Sequence, residues 1–262
     1  MARKAAMERS WQPQDRDDVA ALLDDPARAA VAASAAEAVR DAAGSDTVLG
    51  LGSGRALWAT MELLGRGDDL RGLRVVTASS TTQWIAGWYG FVVVELDGDV
   101  RPDRYIDGAD EVAGDLGLIK GHGNALLREK LIAVAARWFV VVAEASKRVG
   151  RLGEQCTLPV EVVRFGWADT RRRLRQRFGE VTVRTDQGQP LVTDEGNLVL
   201  EFVLPGDISA VTVARELEAT VGVVDHGLFL GLADEILLGG PDGTVEVLTR
   251  ADATAVWDRS AQ

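Results

Sequence analysis

Cysteine is almost missing from this chain: Cys156 is the only one in 262 residues. No intrachain disulfide can form, and a reducing, cytoplasmic setting is expected. Cys156 itself reads as a small packed residue rather than a nucleophile. Histidine is nearly as scarce. His122 and His226 are the only two, both lie beside glycines, and their spacing is not that of a ligand pair, so no metal site is expected. A basic excess is also lacking. Lys and Arg number 29 against 40 Asp and Glu, a net charge of −11, which argues against a nucleic-acid partner and against an anionic membrane surface. A small anion can still be held by local amides and a few cations. No apolar run approaches the roughly 18 residues of a membrane span. The opening MARKAAMERSWQPQDRDD lacks the apolar core of a signal peptide.

What is present suits a large α/β protein. Apolar residues make up 47% and charged residues 26%, and the length allows one large domain with a small insert. Residues 1–25 read as a loosely ordered extension. A helix is expected from Pro26 to about Ala43, with proline in its first turn. The run TVLGLGSGRALWATMELLG reads as a buried strand, a glycine turn and a helix. Further strands are expected at Leu73–Thr77, Phe91–Leu96, Arg104–Ile106 and Phe139–Ala143, with a helix over Asn124–Trp138. Strands alternating with helices predict a Rossmann-like, mostly parallel sheet with helices on both faces. This catalytic domain is expected over 26–157 and again over 222–262, with a last strand at Thr244–Leu248 and a polar tail. Between them, 158–221 reads as a smaller α+β insert, an antiparallel sheet with two helices, serving as a lid or in oligomerisation. In parallel sheets ligands sit beyond the carboxyl ends of the strands. Four polar clusters fall there: Ser53–Arg55, Ser79–Thr82, Asp107–Asp110 and Ser146–Lys147.

The stretch Tyr105–Lys130, YIDGADEVAGDLGLIKGHGNALLREK, holds the densest chemistry. Glu129 shares a helical face with Ala125, Leu126, Ile132, Ala133 and Ala136. Leu127, Leu131 and Val134 make the opposite side apolar too, so the helix is expected to be buried on most sides. A carboxylate there is desolvated and its proton affinity rises, which suits a base that takes a carbon-bound proton and returns it. An ion pair with Arg128 or Lys130 is the plainer alternative, weakened because sequence neighbours do not face each other on a helix. Asp107 and Asp110 on a strand-to-loop turn suit sugar hydroxyls or a hydroxyl proton, although Asp and Gly also make ordinary surface turns. Lys120 precedes Gly121-His122-Gly123-Asn124. Its ammonium and the turn amides together suit a developing oxyanion. Gly50-Leu51-Gly52-Ser53-Gly54 suits an anion at a helix start. Arg55 stands where the dinucleotide fingerprint needs glycine, so no nicotinamide cofactor is expected. The arginines of TRRRLRQRF read as a solvated helix face. Trp58, Trp84, Trp88 and Trp138 read as core or interface residues.

The order of these motifs resembles the type A ribose-5-phosphate isomerase family. The matches are GLGSG, the Ser/Thr cluster, DGADEV, IKGHGNALLREK, the ASK of Ala145–Lys147, LPVEV, the TDEGN of Thr193–Asn197 and VVDHGLF. They run in family order from about residue 30 to 248. The resemblance implies a cofactor-free aldose–ketose isomerase of ribose 5-phosphate and ribulose 5-phosphate, working through an enediolate as a homodimer or homotetramer. It makes Glu129 the proton shuttle between C1 and C2. By the same resemblance Asp107 and Asp110 are expected to assist ring opening and hold hydroxyls, and Lys120 with the amides of Gly121, His122, Gly123 and Asn124 to stabilise the enediolate. It places Lys147 on the phosphate side, and Ser53, Gly54, Arg55, Ser79, Ser80 and Thr81 are the remaining expected substrate contacts. Two positions depart from the pattern. The phosphate loop, usually T-G-S-T, is Ser53-Gly54-Arg55-Ala56, where a bidentate Arg55 can replace hydroxyls. His122 and Asn124 break the glycine run, and their side chains are expected near the sugar carbons. Arg28 is the nearest match to a lysine of the family's first helix. Two alternatives stand beside this reading: an enolising enzyme acting on another sugar phosphate or sugar acid, and a non-catalytic sugar-phosphate-binding module.

Overall fold

The computed structural model describes residues 12–44, 46–67 and 69–252. Residues 1–11 of the expected extension and 253–262 of the expected tail lie outside the described residues. The chain divides into two compact units. One runs through Gly108 and takes in Leu131–Ser146 and Ala233–Asp252; the other takes in Ala109–Lys130 and Lys147–Leu232.

The first unit is built on a seven-stranded sheet. Its spatial order is Val245–Thr249, Glu235–Gly239, Phe139–Glu144, Arg104–Asp107, Val48–Leu51, Arg74–Thr77, Val92–Val93. Neighbours run parallel except the Glu235–Gly239 and Val245–Thr249 hairpin. Strand side chains alternate between faces. Leu49, Leu51, Val75, Ile106, Val140, Val142 and Leu237 meet Val31, Ala35, Leu57, Met61, Leu64 and Ile85 from three helices, Pro26–Ala42, Arg55–Leu64 and Ser80–Trp88. The opposite face carries Tyr105 stacked on Phe139, centroids 4.6 Å apart. Ile132 covers this face too, so close that a Cβ on Gly50 would lie 2.8 Å from it. Helices therefore cover both faces of a mostly parallel sheet. The strand order reverses direction at Val48–Leu51, which has Arg74–Thr77 on one side and Arg104–Asp107 on the other. Such switch points open a crevice at the carboxyl ends of the strands.

Three local expectations need correction. Residues 16–24, expected to be loosely ordered, form a short helix, Arg16–Ala20, and a 3-10 turn, Ala21–Asp24. Asp15 accepts from the Asp18 amide to start it, and Asp25 accepts from the Arg28 amide to start the long helix, each a side-chain cap on an otherwise orphaned donor. The strand expected over Phe91–Leu96 shortens to Val92–Val93, an edge strand with one neighbour. The helix expected to be buried on most sides is Leu126–Ala135, and it is buried on one face only. Leu131 and Val134 are 54% and 50% exposed while Ile132 and Ala133 are buried.

The second unit holds the antiparallel sheet Val181–Val183, Leu198–Phe202, Leu158–Val162, Val223–His226. Helices Trp167–Phe178 and Ala210–Glu218 pack on it through Leu174, Phe178, Val213 and Leu217, with Phe178 stacked on Phe202. A second small sheet, Leu228–Phe229, Leu118–Ile119, Glu111–Ala113, Arg148–Val149, lies in the same unit. Its strands are two or three residues long, too short for alternation to reveal. Buried Glu111 ties it down by accepting amide protons from Gly153, Gln155 and Cys156. Among the described residues no helix is long and apolar enough to cross a membrane.

Candidate active site

In the first unit the candidate residues cluster at the switch point. The chain leaves Val48–Leu51 through Gly52 and Ser53, and Gly54, with φ 108°, starts helix Arg55–Leu64. A positive φ of that size favours glycine. Gly52 is required for a different reason: a Cβ there would fall 1.8 Å from Asp107 Cγ. The loop thus closes directly on the Asp107 carboxylate, which accepts from the Ser53 amide at 3.0 Å and the Gly108 amide at 2.7 Å. Tyr105 Oη donates to its other oxygen. Tyr105 lies two residues back along the strand and therefore on the same face. Asp107 is fully buried.

A second helix start joins the loop. Ser79 caps helix Ser80–Trp88 by accepting from the Thr82 amide, and its Oγ lies 3.3 Å from Ser53 Oγ. Thr82 Oγ1 donates to Gly52 O at 2.8 Å and accepts from Trp58 Nε1 at 3.1 Å. Two helix N-termini and half-buried Arg55 lie together here, a set of amides, hydroxyls and a cation of the kind that suits an anion. Ser80 is exposed, and Thr81 Oγ1 donates to Gln12 Oε1 at 2.6 Å. Arg28, the candidate match to a family lysine, pairs with Glu144 at 2.9 Å.

In the second unit Lys120 and Glu129 form a buried pair, Nζ 3.1 Å from Oε2, each side chain 3% exposed. Desolvation is costly for either ion alone, and each offsets the charge of the other. Lys120 also stands over the Phe229 ring, 5.4 Å from its centroid, and Lys130 stands over the same ring at 5.0 Å. The Lys120 amide donates to Gly227 O at 2.9 Å, and a Cβ on Gly227 would lie 2.2 Å from Lys120 O. The glycine of VVDHGLF is thus what lets that strand approach Lys120. The plainer alternative for Glu129 fails on geometry. Arg128 pairs with Glu195 and Asp194, and Lys130 pairs with Asp225 at 2.5 Å. Three successive charges point three ways, as helical spacing requires.

Asp110 is half-buried and accepts from the His122 amide at 3.1 Å. Burial alone would raise its carboxyl; the charges of His122, Lys147 and Lys120, with that amide, outweigh burial and hold it below the usual carboxylate range. Lys147 ends the 3-10 turn that follows Phe139–Glu144. Gly121 and Asn124 both take positive φ, 103° and 70°. The side chains of His122 and Asn124, expected near the sugar carbons, both have protein partners. His122 Nε2 lies 2.9 Å from Thr157 O, and Asn124 Oδ1 accepts from Arg184 Nη1. Cys156 is half-buried and its thiol is pushed up, first by burial and then by Asp110 and Glu111, the opposite of nucleophile activation. Of the tryptophans, Trp58 is in the core, whereas Trp84 and Trp138 are 51% and 42% exposed.

Residues 74–243 match the family described as Ribose 5-phosphate isomerase A (phosphoriboisomerase A). The chain belongs to this family. The Ribose-5-phosphate isomerase A of Roseiflexus castenholzii is 46% identical over 219 residues, covering 81% of this chain and 93% of that protein. That of Deinococcus radiodurans is 41% identical over 206 residues, covering 77% and 90%. Among solved structures, ribose 5-phosphate isomerase A from Methanocaldococcus jannaschii superposes with TM-score 0.78 at 30% identity, covering 87% of this chain and 99% of its own. A further D-Ribose-5-Phosphate Isomerase, in complex with phospho-erythronic acid, gives TM-score 0.77 at 30% identity, covering 85% and 98%. As an isomerase A, the chain is a sugar-phosphate aldose–ketose isomerase. Tyr105 and Arg184 were not singled out from the sequence for the site. The two-residue step from Tyr105 to Asp107 was a usable signal. Arg184 is 60 residues from Asn124, and no spacing rule connects them.

Proposed function

We propose that this chain interconverts ribose 5-phosphate and ribulose 5-phosphate through an enediolate. The observation that carries the reading is the buried Lys120–Glu129 pair, a base and a cation held side by side away from water. In the open-chain aldose, Glu129 takes the C2 proton and returns it to C1, while the O2 hydroxyl proton moves to O1, so no atom is gained or lost. Lys120 and the amides of residues 121–124 offset charge as it develops on oxygen. Asp110, kept ionised, is assigned to substrate hydroxyls and their protons. Asp107 is assigned to the same hydroxyl chemistry and also holds the Ser53 amide. The phosphate is assigned to Ser53, Gly54, Arg55, Ser79, Ser80, Thr81 and Lys147. One structural relative carries a phosphorylated sugar acid, which fits that anion chemistry.

A homodimer or homotetramer in the cytoplasm is part of the proposal, with residues 158–221 contributing to assembly; sedimentation velocity tests the stoichiometry. The activity is tested with a panel of pentose and hexose phosphates, bisphosphates and sugar acids, read by ketose formation. Turnover of ribose 5-phosphate above the others is expected. A folded protein that enolises a different member of the panel, or none, overturns the reading.

A further inference from the structure

The peptide between Gly121 and His122 is gripped at both ends. Its carbonyl accepts from Arg184 Nη1 at 2.9 Å, and its amide donates to Asp110 Oδ2 at 3.1 Å. A trans peptide is a planar unit whose C=O and N–H point in opposite directions. Fixing the carbonyl on one side therefore aims the N–H on the other. We propose that Arg184 is a positioning residue for Asp110, acting through the single peptide plane Gly121–His122.

The guanidinium is built for this. Arg184 is 6% exposed. Its Nη1 also reaches Asn124 Oδ1, so it closes both ends of the 121–124 turn. Its Nη2 donates to Glu201 Oε1 at 2.7 Å, which offsets its charge in the interior. Glu201 Oε1 further accepts from Thr157 Oγ1 at 3.3 Å, and Thr157 O meets the His122 ring. The two side chains that depart from the family's glycine run are thus the ones that complete the clamp. A cation on the carbonyl and a carboxylate on the amide polarise the same peptide in the same sense, so each bond strengthens the other. Lysine at 184 could not make the fork to Gly121, Asn124 and Glu201 at once.

The inference rests on the assignment of Asp110 to substrate hydroxyls, and its test separates the two. Arg184→Met alone leaves Glu201 buried without its cation and invites unfolding. The paired variant Arg184→Met/Glu201→Met removes both charges. We expect it to fold and to lose about tenfold or more in kcat with KM within about threefold, the split expected when transition-state alignment is lost. In an Asp110→Asn background the same pair of changes is expected to cost less than about twofold more, because residues acting as one unit do not add. A paired variant within twofold of wild-type kcat overturns the clamp, and so do losses that multiply in the Asp110→Asn background. The His122 amide proton resonance reads the same peptide without substrate: an upfield shift in the paired variant is expected, and an unchanged resonance refutes the clamp. An inactive wild type, with that shift still seen in the paired variant, would refute the isomerase reading while supporting the clamp.

Discussion

Glu129→Gln separates proton transfer from every other role of this side chain. The substitution keeps length and shape and leaves a carbonyl oxygen facing Lys120, but it cannot accept the C2 proton. At 3.1 Å and an effective dielectric near 20, the attraction between the two charges is about 5 kcal/mol, set against several kcal/mol of desolvation per ion. Breaking a buried pair by neutralising one member costs about 3–5 kcal/mol. The retained oxygen can still accept from the Lys120 ammonium, a bond worth about 1.5–3 kcal/mol. The net loss of stability is then about 1–3 kcal/mol, a fall in Tm of roughly 2–10 °C for a chain of this size. The variant stays folded, and its kinetics are interpretable. Loss of a positioned base removes on the order of 10²–10⁴ in rate. The assay is NMR in deuterated water, following replacement of the C2 proton of ribose 5-phosphate while circular dichroism confirms the fold. Exchange within tenfold of wild type in a folded Glu129→Gln protein would remove Glu129 as the base and leave the Lys120–Glu129 pair a structural one.

Gly52→Ala places a methyl 1.8 Å from Asp107 Cγ; overpacking of this kind costs about 1–3 kcal/mol, and chemical denaturation should show it together with a loss of kcat/KM. A variant as stable and active as wild type would show that the loop does not need its closeness to Asp107. For Asp110 the sign follows from its depressed carboxyl: the stabilisation is complete above the unfolded aspartate value, about 3.9, and is lost as pH falls through the lower folded value. The stability difference between wild type and Asp110→Asn should therefore be constant near neutrality and shrink in acid; a difference that grows in acid would contradict the assigned direction. Arg55→Ala should raise KM for phosphorylated substrates at least about tenfold while kcat changes little, since a uniform binding contact is lost. An unchanged KM would place Arg55 outside the phosphate contacts.

The parallel sheet was legible because its buried strands are short apolar runs separated by glycine turns and helices, and the polar clusters were legible because they follow those runs. The helix Leu126–Ala135 shows the limit of such reasoning. Its Glu129 face was identified by spacing, but Leu131 and Val134 are apolar and exposed, so hydrophobicity overstated its burial. Apolar residues are a common part of folded surfaces, and no periodicity separates them from core. The small sheet holding Glu111–Ala113 and Leu118–Ile119 was invisible for a different reason. Its strands derive their order from partners far along the chain, Leu228–Phe229 and Arg148–Val149, and from the amides that Glu111 collects. The partners of His122 and Asn124 were not legible because a sequence gives identity without direction; Thr157 and Arg184 are those partners.

The two aspartates of DGAD illustrate why one motif carries two kinds of carboxylate. Asp107 is the last residue of a central strand, fully buried, and its oxygens are taken up by the Ser53 and Gly108 amides and the Tyr105 hydroxyl. A carboxylate so satisfied is a fixed part of the glycine loop, and anything bound by that loop inherits its position. Asp110 is only half-buried and faces Lys120, Lys147 and His122. Its amide is fixed to Ile119 O at 2.8 Å and its carboxylate to the His122 amide, so both its backbone and its side chain refer to the strand-and-turn segment that carries Lys120. Two residues of chain therefore separate a carboxylate that organises a loop from one that remains charged beside the cations. The spacing matters because each aspartate belongs to a different compact unit, and the dipeptide Gly108–Ala109 is the covalent link at which the chain passes from one to the other.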